Sequence, residues 1–162
     1  MGRASVRAAI AAYFTPASLA GLTTTYAAPP KEIPAQAFGL SAGSGSGAVL
    51  IVHLTDEDES RIALGGAHDG GKFDTHHIAI ELMFQSVKSD AIAAQADHDA
   101  LIDAFMTLFR ADRTLGTGGV PIFQAGEDSA GIKTMVVQPV LGKQNVILNS
   151  VIRFNALEFV EA

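Results

Sequence analysis

Residues 66–72, Gly-Ala-His-Asp-Gly-Gly-Lys, reproduce most of the glycine-rich loop that wraps a phosphate, including the lysine that comes after the second fixed glycine. The match stops at Phe73, which stands where a Ser or Thr hydroxyl would ligate magnesium. Residues 73–85 alternate as a strand and do not start the helix whose N-terminus would face the phosphates, so residues 65–71 read as a glycine-rich hairpin turn. His76 and His77 are neighbours in that strand pattern; their side chains leave opposite faces and do not chelate one metal together. His53, His68 and His98 lack the helical His or Glu partner of a zinc-site pattern. The run Asp56-Glu57-Asp58-Glu59 lacks the twelve-residue calcium loop with its glycine at the sixth position, and reads as a solvated acidic turn. Ser60, Ser86 and Ser129 sit in no nucleophile elbow, and Gly45-Ser46-Gly47 precedes a strand where an elbow joins strand to helix. The expectation is a protein with no catalytic residue, no cofactor and no metal, hence not an enzyme. A small soluble hydrolase or nucleotide-binding enzyme is the alternative from a different class.

The elements that would position these residues can be read from periodicity. Val6, Ala9, Ile10, Tyr13 and Phe14 fall on one helical face, which predicts a helix over 4–14 ended by Thr15-Pro16. Residues 22–26 predict a short strand leading into a proline-rich extended stretch with Pro29-Pro30 and Pro34, and 41–47 are a flexible Gly/Ser loop by composition. Residues 48–55 and 60–64 predict two strands joined as a hairpin by the acidic turn. Across 73–85, Ile78, Ile80, Leu82 and Phe84 share one face and His77, Ala79, Glu81 and Gln85 the other. Ser89 or Asp90 can cap a helix running to about 110, with a buried stripe of Ile92, Ala96, Leu101, Ala104, Phe105, Leu108 and Phe109. Strands are predicted over 120–124, 132–139 and 146–160, the last losing phase near Leu157 and Phe159 as if at a bulge. That order predicts one α+β domain over 1–162, a mixed or antiparallel sheet packed with one long helix and an N-terminal helix.

The chain of 162 residues suits one domain, with 48% hydrophobic residues, 17% charged residues and a mean hydropathy of +0.27. So few charges imply surface hidden by partners. A formal charge of −6 with scattered Lys and Arg argues against a phosphate-gripping surface. The longest aliphatic stretch, about 48–54, is far below the roughly 20 residues of a bilayer span, so no membrane partner is expected. The basic start through Arg3 and Arg7 is interrupted by Tyr13 and Thr15-Pro16 and is expected to be a helix of the mature protein, not a signal peptide. Zero cysteines exclude disulfides and thiolate metal sites.

The block 61–110 resembles the tail terminator, or tail completion, proteins of long-tailed bacteriophages. The resemblance is carried by the short strand Arg61-Ile62-Ala63-Leu64, the turn Gly70-Gly71-Lys72, the alternating strand 76–84 and the Asp- and Ala-rich helix around 96–105. It implies a homohexameric ring on the head-proximal end of the finished tail tube, whose other face meets a head-completion or connector protein. It also implies DNA passing through the lumen without specific binding. A head–tail connector or a tail-tube subunit of the same virion is the neighbouring reading. The candidate interaction loops are Ser41, Gly43, Gly45 and Gly47; Asp56, Glu57, Asp58 and Glu59; His68, Asp69 and Lys72; and Thr114 and Thr117.

Overall fold

A computed structural model describes residues 2–40, 45–62, 71–87, 90–126, 133–141 and 146–161. The N-terminal helix α1 (Arg3–Tyr13) buries Val6 and Ile10 at the expected spacing and stops where the Ser18 hydroxyl donates to the Tyr13 carbonyl at 2.8 Å. Strand β1 (Leu22–Tyr26) lies parallel to the start of β2 (Ser46–Ile62), after a single 3₁₀ turn at Ala35–Phe38. Strand β3 (Gly71–Ser86) runs antiparallel to β2, and the last strand, β6 (Val146–Glu161), antiparallel to β3. Between them come helix α2 (Ala91–Ala111), the short β4 (Gln124–Gly126) and β5 (Lys133–Leu141). Both β4 and β5 pair along the outer edge of β6, giving the order β1-β2-β3-β6-β4 with β5 also on β6. One parallel pair among antiparallel ones makes the sheet mixed, and the architecture is α+β as expected.

Both helices cover one face of this sheet. Ala48, Leu50 and Val52 of β2, Ile78, Ile80, Leu82 and Phe84 of β3, and Leu148, Ile152 and Phe154 of β6 meet Val6, Ile10, Leu101, Phe105 and Phe109 there. The helices are clamped to each other by the stacked rings of Phe14 and Phe105, 4.3 Å apart, and by the Tyr13 hydroxyl donating to the Leu108 carbonyl at 3.0 Å. Among the described residues the opposite face is covered beside β1, where Ala37 and Phe38 of the 3₁₀ turn sit on Val49 and Ile51.

Four expectations are corrected. First, the acidic run is not a turn: β2 continues through it, and the real hairpin is β2–β3. The strand persists because residues 56–59 pair in register with β3 from His77 to Asp74, and Arg3, His77 and Lys72 come within 3.2 Å of Glu57, Asp58 and Glu59 respectively. The irregularity sits just before, where consecutive β3 residues Ile78 and His77 pair with Leu54 and Asp56, leaving Thr55 as a bulge. Second, β6 keeps strict alternation to Val160 with no register shift against β3; Glu158, not Leu157 or Phe159, continues the buried row. Third, the α2 stripe is Ala94, His98, Leu101, Phe105 and Phe109, while Ile92 is exposed, because the helix is rotated to bring His98 onto β6. Fourth, only Gln124 of the 120–124 region is strand, as the first residue of β4, since the Thr117 hydroxyl donates to the Ile122 carbonyl at 2.9 Å and curls the segment before it.

Candidate functional site

Past the Thr55 bulge the three central strands continue for about seven residues, roughly 20 Å at strand rise; this part, the arm, is joined by β4 at Asn155–Leu157. On its helix-side face the register places Glu57 opposite His76 and Ala156, and Glu59 opposite Asp74 and Glu158. His76 and Glu158 are only 1% and 2% exposed, and the His76 Nε2 lies 2.9 Å from a Glu158 carboxylate oxygen. The other ring nitrogen, Nδ1, is 3.9 Å from Glu57 Oε2 and has no hydrogen-bond partner among the described residues. Arg3 of α1 reaches over to Glu57 at 3.2 Å. Lys72 bridges Glu59 at 2.9 Å and Asp74 at 3.2 Å, and these two contacts raise its pKa above the ordinary lysine value.

On the arm's other face the His77 ring lies between Asp58 Oδ2 and Asn155 Oδ1, each 2.8 Å from a ring nitrogen. Two oxygen acceptors favour the doubly protonated ring, and the Asp58 hydrogen bond is the largest cause of its raised pKa, against a smaller opposing effect of burial. Nearer the middle, Glu81 accepts from the Asn149 amide at 2.7 Å and lies 3.2 Å from His53 Nε2. At the tip, Phe73 packs with Phe159 and Phe123 at centroid distances of 5.3 and 5.8 Å. A Cβ on Gly71 would come within 2.7 Å of the Phe159 ring, so a side chain there would push that ring aside. Val120, Phe123 and Phe159 still expose 61%, 50% and 44% of their surface, which leaves an apolar patch beside the carboxylates.

One hydroxyl and imidazole approach each other as a nucleophile and base would: Ser150 Oγ is 3.2 Å from His98 Nε2. Both are fully buried between β6 and α2, and burial lowers the His98 pKa, so the neutral ring sits in the core beside Phe84. With no surface on either group, the pair fixes helix against sheet and does not meet a substrate.

The expected interaction residues are dispersed. Ser41, Gly43, His68 and Asp69 lie outside the described residues. Gly47 and Lys72 belong to strands β2 and β3 and not to loops. Gly47 is strand because the 3₁₀ turn folds onto it: an added Cβ would sit 2.1 Å from the Phe38 carbonyl oxygen. Lys72 serves the arm's carboxylates. Gly45, at φ +109°, is the one glycine of that group still outside a strand among the described residues. Thr114 and Thr117 lie in a turn whose contacts come from the chain itself: Asp112 accepts from the Thr114 and Gly116 amides at 2.8 Å, and Thr117 donates to the Thr114 carbonyl at 2.7 Å. The Thr114 hydroxyl, which donates to Asp112 at 2.8 Å, and then these amide bonds hold the Asp112 carboxyl below the ordinary pKa. Sequence reasoning missed Asp74, His76 and Glu158 as one cluster and Phe73, Phe123 and Phe159 as one patch. The in-phase position of Glu158, six and four residues after Ile152 and Phe154, was the available signal for the first. Among the described residues no group of three or more His, Asp or Glu is arranged to hold a metal, and no helix is long and apolar enough to cross a membrane.

No family model and no curated protein matches the chain. Among solved structures it is similar to a chain of the virion of a native gene transfer agent particle, at 17% identity over 94% of each chain. The TM-score of 0.32 does not establish a shared fold.

Proposed function

We propose that this chain is a non-catalytic structural subunit of a phage-like virion, and specifically a subunit of the ring that terminates the tail tube at its head-proximal end. The observation that carries the structural part is the arm: strands carried on past the Thr55 bulge, with exposed aromatics and an outer edge that no strand of the described residues pairs. A monomer gains little by extending such a surface into water, whereas a subunit in an assembly covers it. The choice of terminator rests on the resemblance of the 61–110 block, with its two strands, turn and Asp/Ala-rich helix.

In this reading the ring has two unlike faces. One copies the docking surface of the tube; the other meets a head-completion protein and accepts no further ring, so growth stops. DNA crosses the lumen without specific contact, in keeping with the net charge of −6. The test adds the purified chain to polymerising tube subunits. Tubes that shorten as its concentration rises support the reading. Tubes of unchanged length, or tubes built from this chain alone, overturn it, the second result favouring a tube subunit.

A further inference from the structure

We infer that the acidic outer edge of the arm docks head to tail on the carboxylate-free β5–β6 edge of a second copy of this chain. This deepens the ring reading and rests on it, by naming which surfaces of neighbouring subunits meet.

Charge is segregated along the sheet. Residues 56–62, 71–77 and 155–161 hold seven carboxylates against Arg61 and Lys72, a formal −5 out of the chain's −6. Along the described β5–β6 edge, residues 133–141 and 146–157 hold Lys133 and Arg153 and no Asp or Glu, a formal +2. Between two copies, arm against arm repels and arm against the β5–β6 edge attracts. Both surfaces are also unfinished as sheet. Strand β1 pairs β2 only as far as Ile51, so beyond it the outer edge of β2 has no strand partner among the described residues. The outer edge of β5 has none among them either.

On the receiving side, Arg153 projects exposed from β6 with no ion pair among the described residues, and the register sets Lys133 opposite it on β5. Phe159 of β6 and Phe123, which leads into β4 on the outer edge of β6, lie toward the edge opposite β2 and add exposed apolar surface to the receiving side. Since the two surfaces differ, the contact is heterologous and closes into a ring when repeated around an axis.

The test uses the full chain, native mass spectrometry and two variants: Asp56→Lys/Asp58→Lys/Glu59→Lys on the arm and Lys133→Glu/Arg153→Glu on the edge. The unaltered chain is expected at one discrete multiple of 16.8 kDa and each variant at the monomer mass. An equimolar mixture of the two variants restores complementary charge at every contact, so it is expected to reassemble with alternating subunits and an even copy number. A variant that keeps the full ring by itself overturns the inference, as does a mixture of two folded variants that stays monomeric. An unaltered chain that is monomeric at low salt overturns the ring reading itself, an outcome distinct from either. Should the arm lysines abolish folding by circular dichroism, Asp56→Asn/Asp58→Asn/Glu59→Gln replaces them. It is expected to weaken association at least tenfold, and unchanged association overturns the inference.

Discussion

From Ser46 to Leu54 on β2, and along the matching stretches of β3 and β6, the helix-side face is aliphatic and sealed by Phe14, Phe105 and Phe109. From Asp56 outward the same face of the same strands carries Glu57, Glu59, Asp74, His76 and Glu158. The backbone ladder is continuous through both halves, so hydrogen bonding alone does not distinguish them. Apolar burial does: it drives folding in the first half, while polar pairs, individually worth about 1 kcal/mol net, organise the second. The helix-covered half therefore holds the fold, and the arm is a surface that the fold holds out for contact.

The largest effect is expected in the covered half. Phe105 stacks on Phe14 and lies 6.3 Å from Phe109, fully buried, so Phe105→Ala opens a cavity at the junction of both helices and the sheet. A loss of about 3–5 kcal/mol is expected in urea unfolding. A loss under about 1 kcal/mol would place the stabilising core elsewhere and break the comparison.

Next comes the buried pair of the arm. Glu158→Ala removes the partner of His76 Nε2 and leaves a ring whose other nitrogen is already without one among the described residues, so about 1–3 kcal/mol is expected to be lost. A value rivalling that of Phe105→Ala would mean that the arm, too, holds the fold. Gly47→Ala should cost a similar amount, about 1–3 kcal/mol, by driving a methyl into the Phe38 carbonyl and displacing the 3₁₀ turn from β2. Thermal unfolding of both variants measures this.

The alternation of 73–85, the N-terminal helix and the Asp90-capped second helix were legible because each is a local periodicity with a local stop signal. The arm was not, for a reason visible in Asp56–Glu59. Four consecutive carboxylates disfavour a strand by their own propensity, and only the register brings His77 and Lys72 to receive them. The acidic sequence therefore reads as a turn while cross-strand pairing makes it a strand. Glu158 was hidden by the converse: a charged residue in an otherwise apolar phase reads as a slipped register until His76, more than eighty residues earlier in the chain, is placed beside it. The α2 phase was not legible because a histidine adds nothing to an apolar stripe, whereas Ser150 on β6 gives the His98 ring a partner inside the core.

The two halves also titrate in opposite directions. In the covered half, burial lowers the His98 pKa below its ordinary 6.5. The unfolded chain then binds the extra proton, so this contribution is complete above pH 6.5 and is lost as pH falls toward the depressed value. In the arm, Asp58 raises the His77 pKa above 6.5, so its contribution is complete below pH 6.5 and is lost as pH rises through the raised value. Stability measured from about pH 5 to 8 is expected to fall on both sides of the middle of that range, with His77→Gln flattening only the alkaline side. A His77→Gln profile unchanged on that side would remove the arm's protonated histidine from the account.

The smallest expected change in stability is at the arm's tip. Phe123 exposes half of its surface, touches Phe73 at a centroid distance of 5.8 Å and is tied to β6 through its backbone amide, which donates to the Leu157 carbonyl at 2.7 Å. Phe123→Ser keeps that backbone bond and removes a ring that is already half in water, so unfolding of the dissociated chain should shift by no more than about 0.5 kcal/mol. If the tip exists to be covered, the same substitution should be felt in assembly, because a buried aromatic at the centre of an interface carries about 2 kcal/mol or more of binding. The two measurements on one variant separate the roles of the two halves. Unchanged stability with weakened association makes the tip a contact surface, whereas lost stability with unchanged association makes it a distal piece of the core.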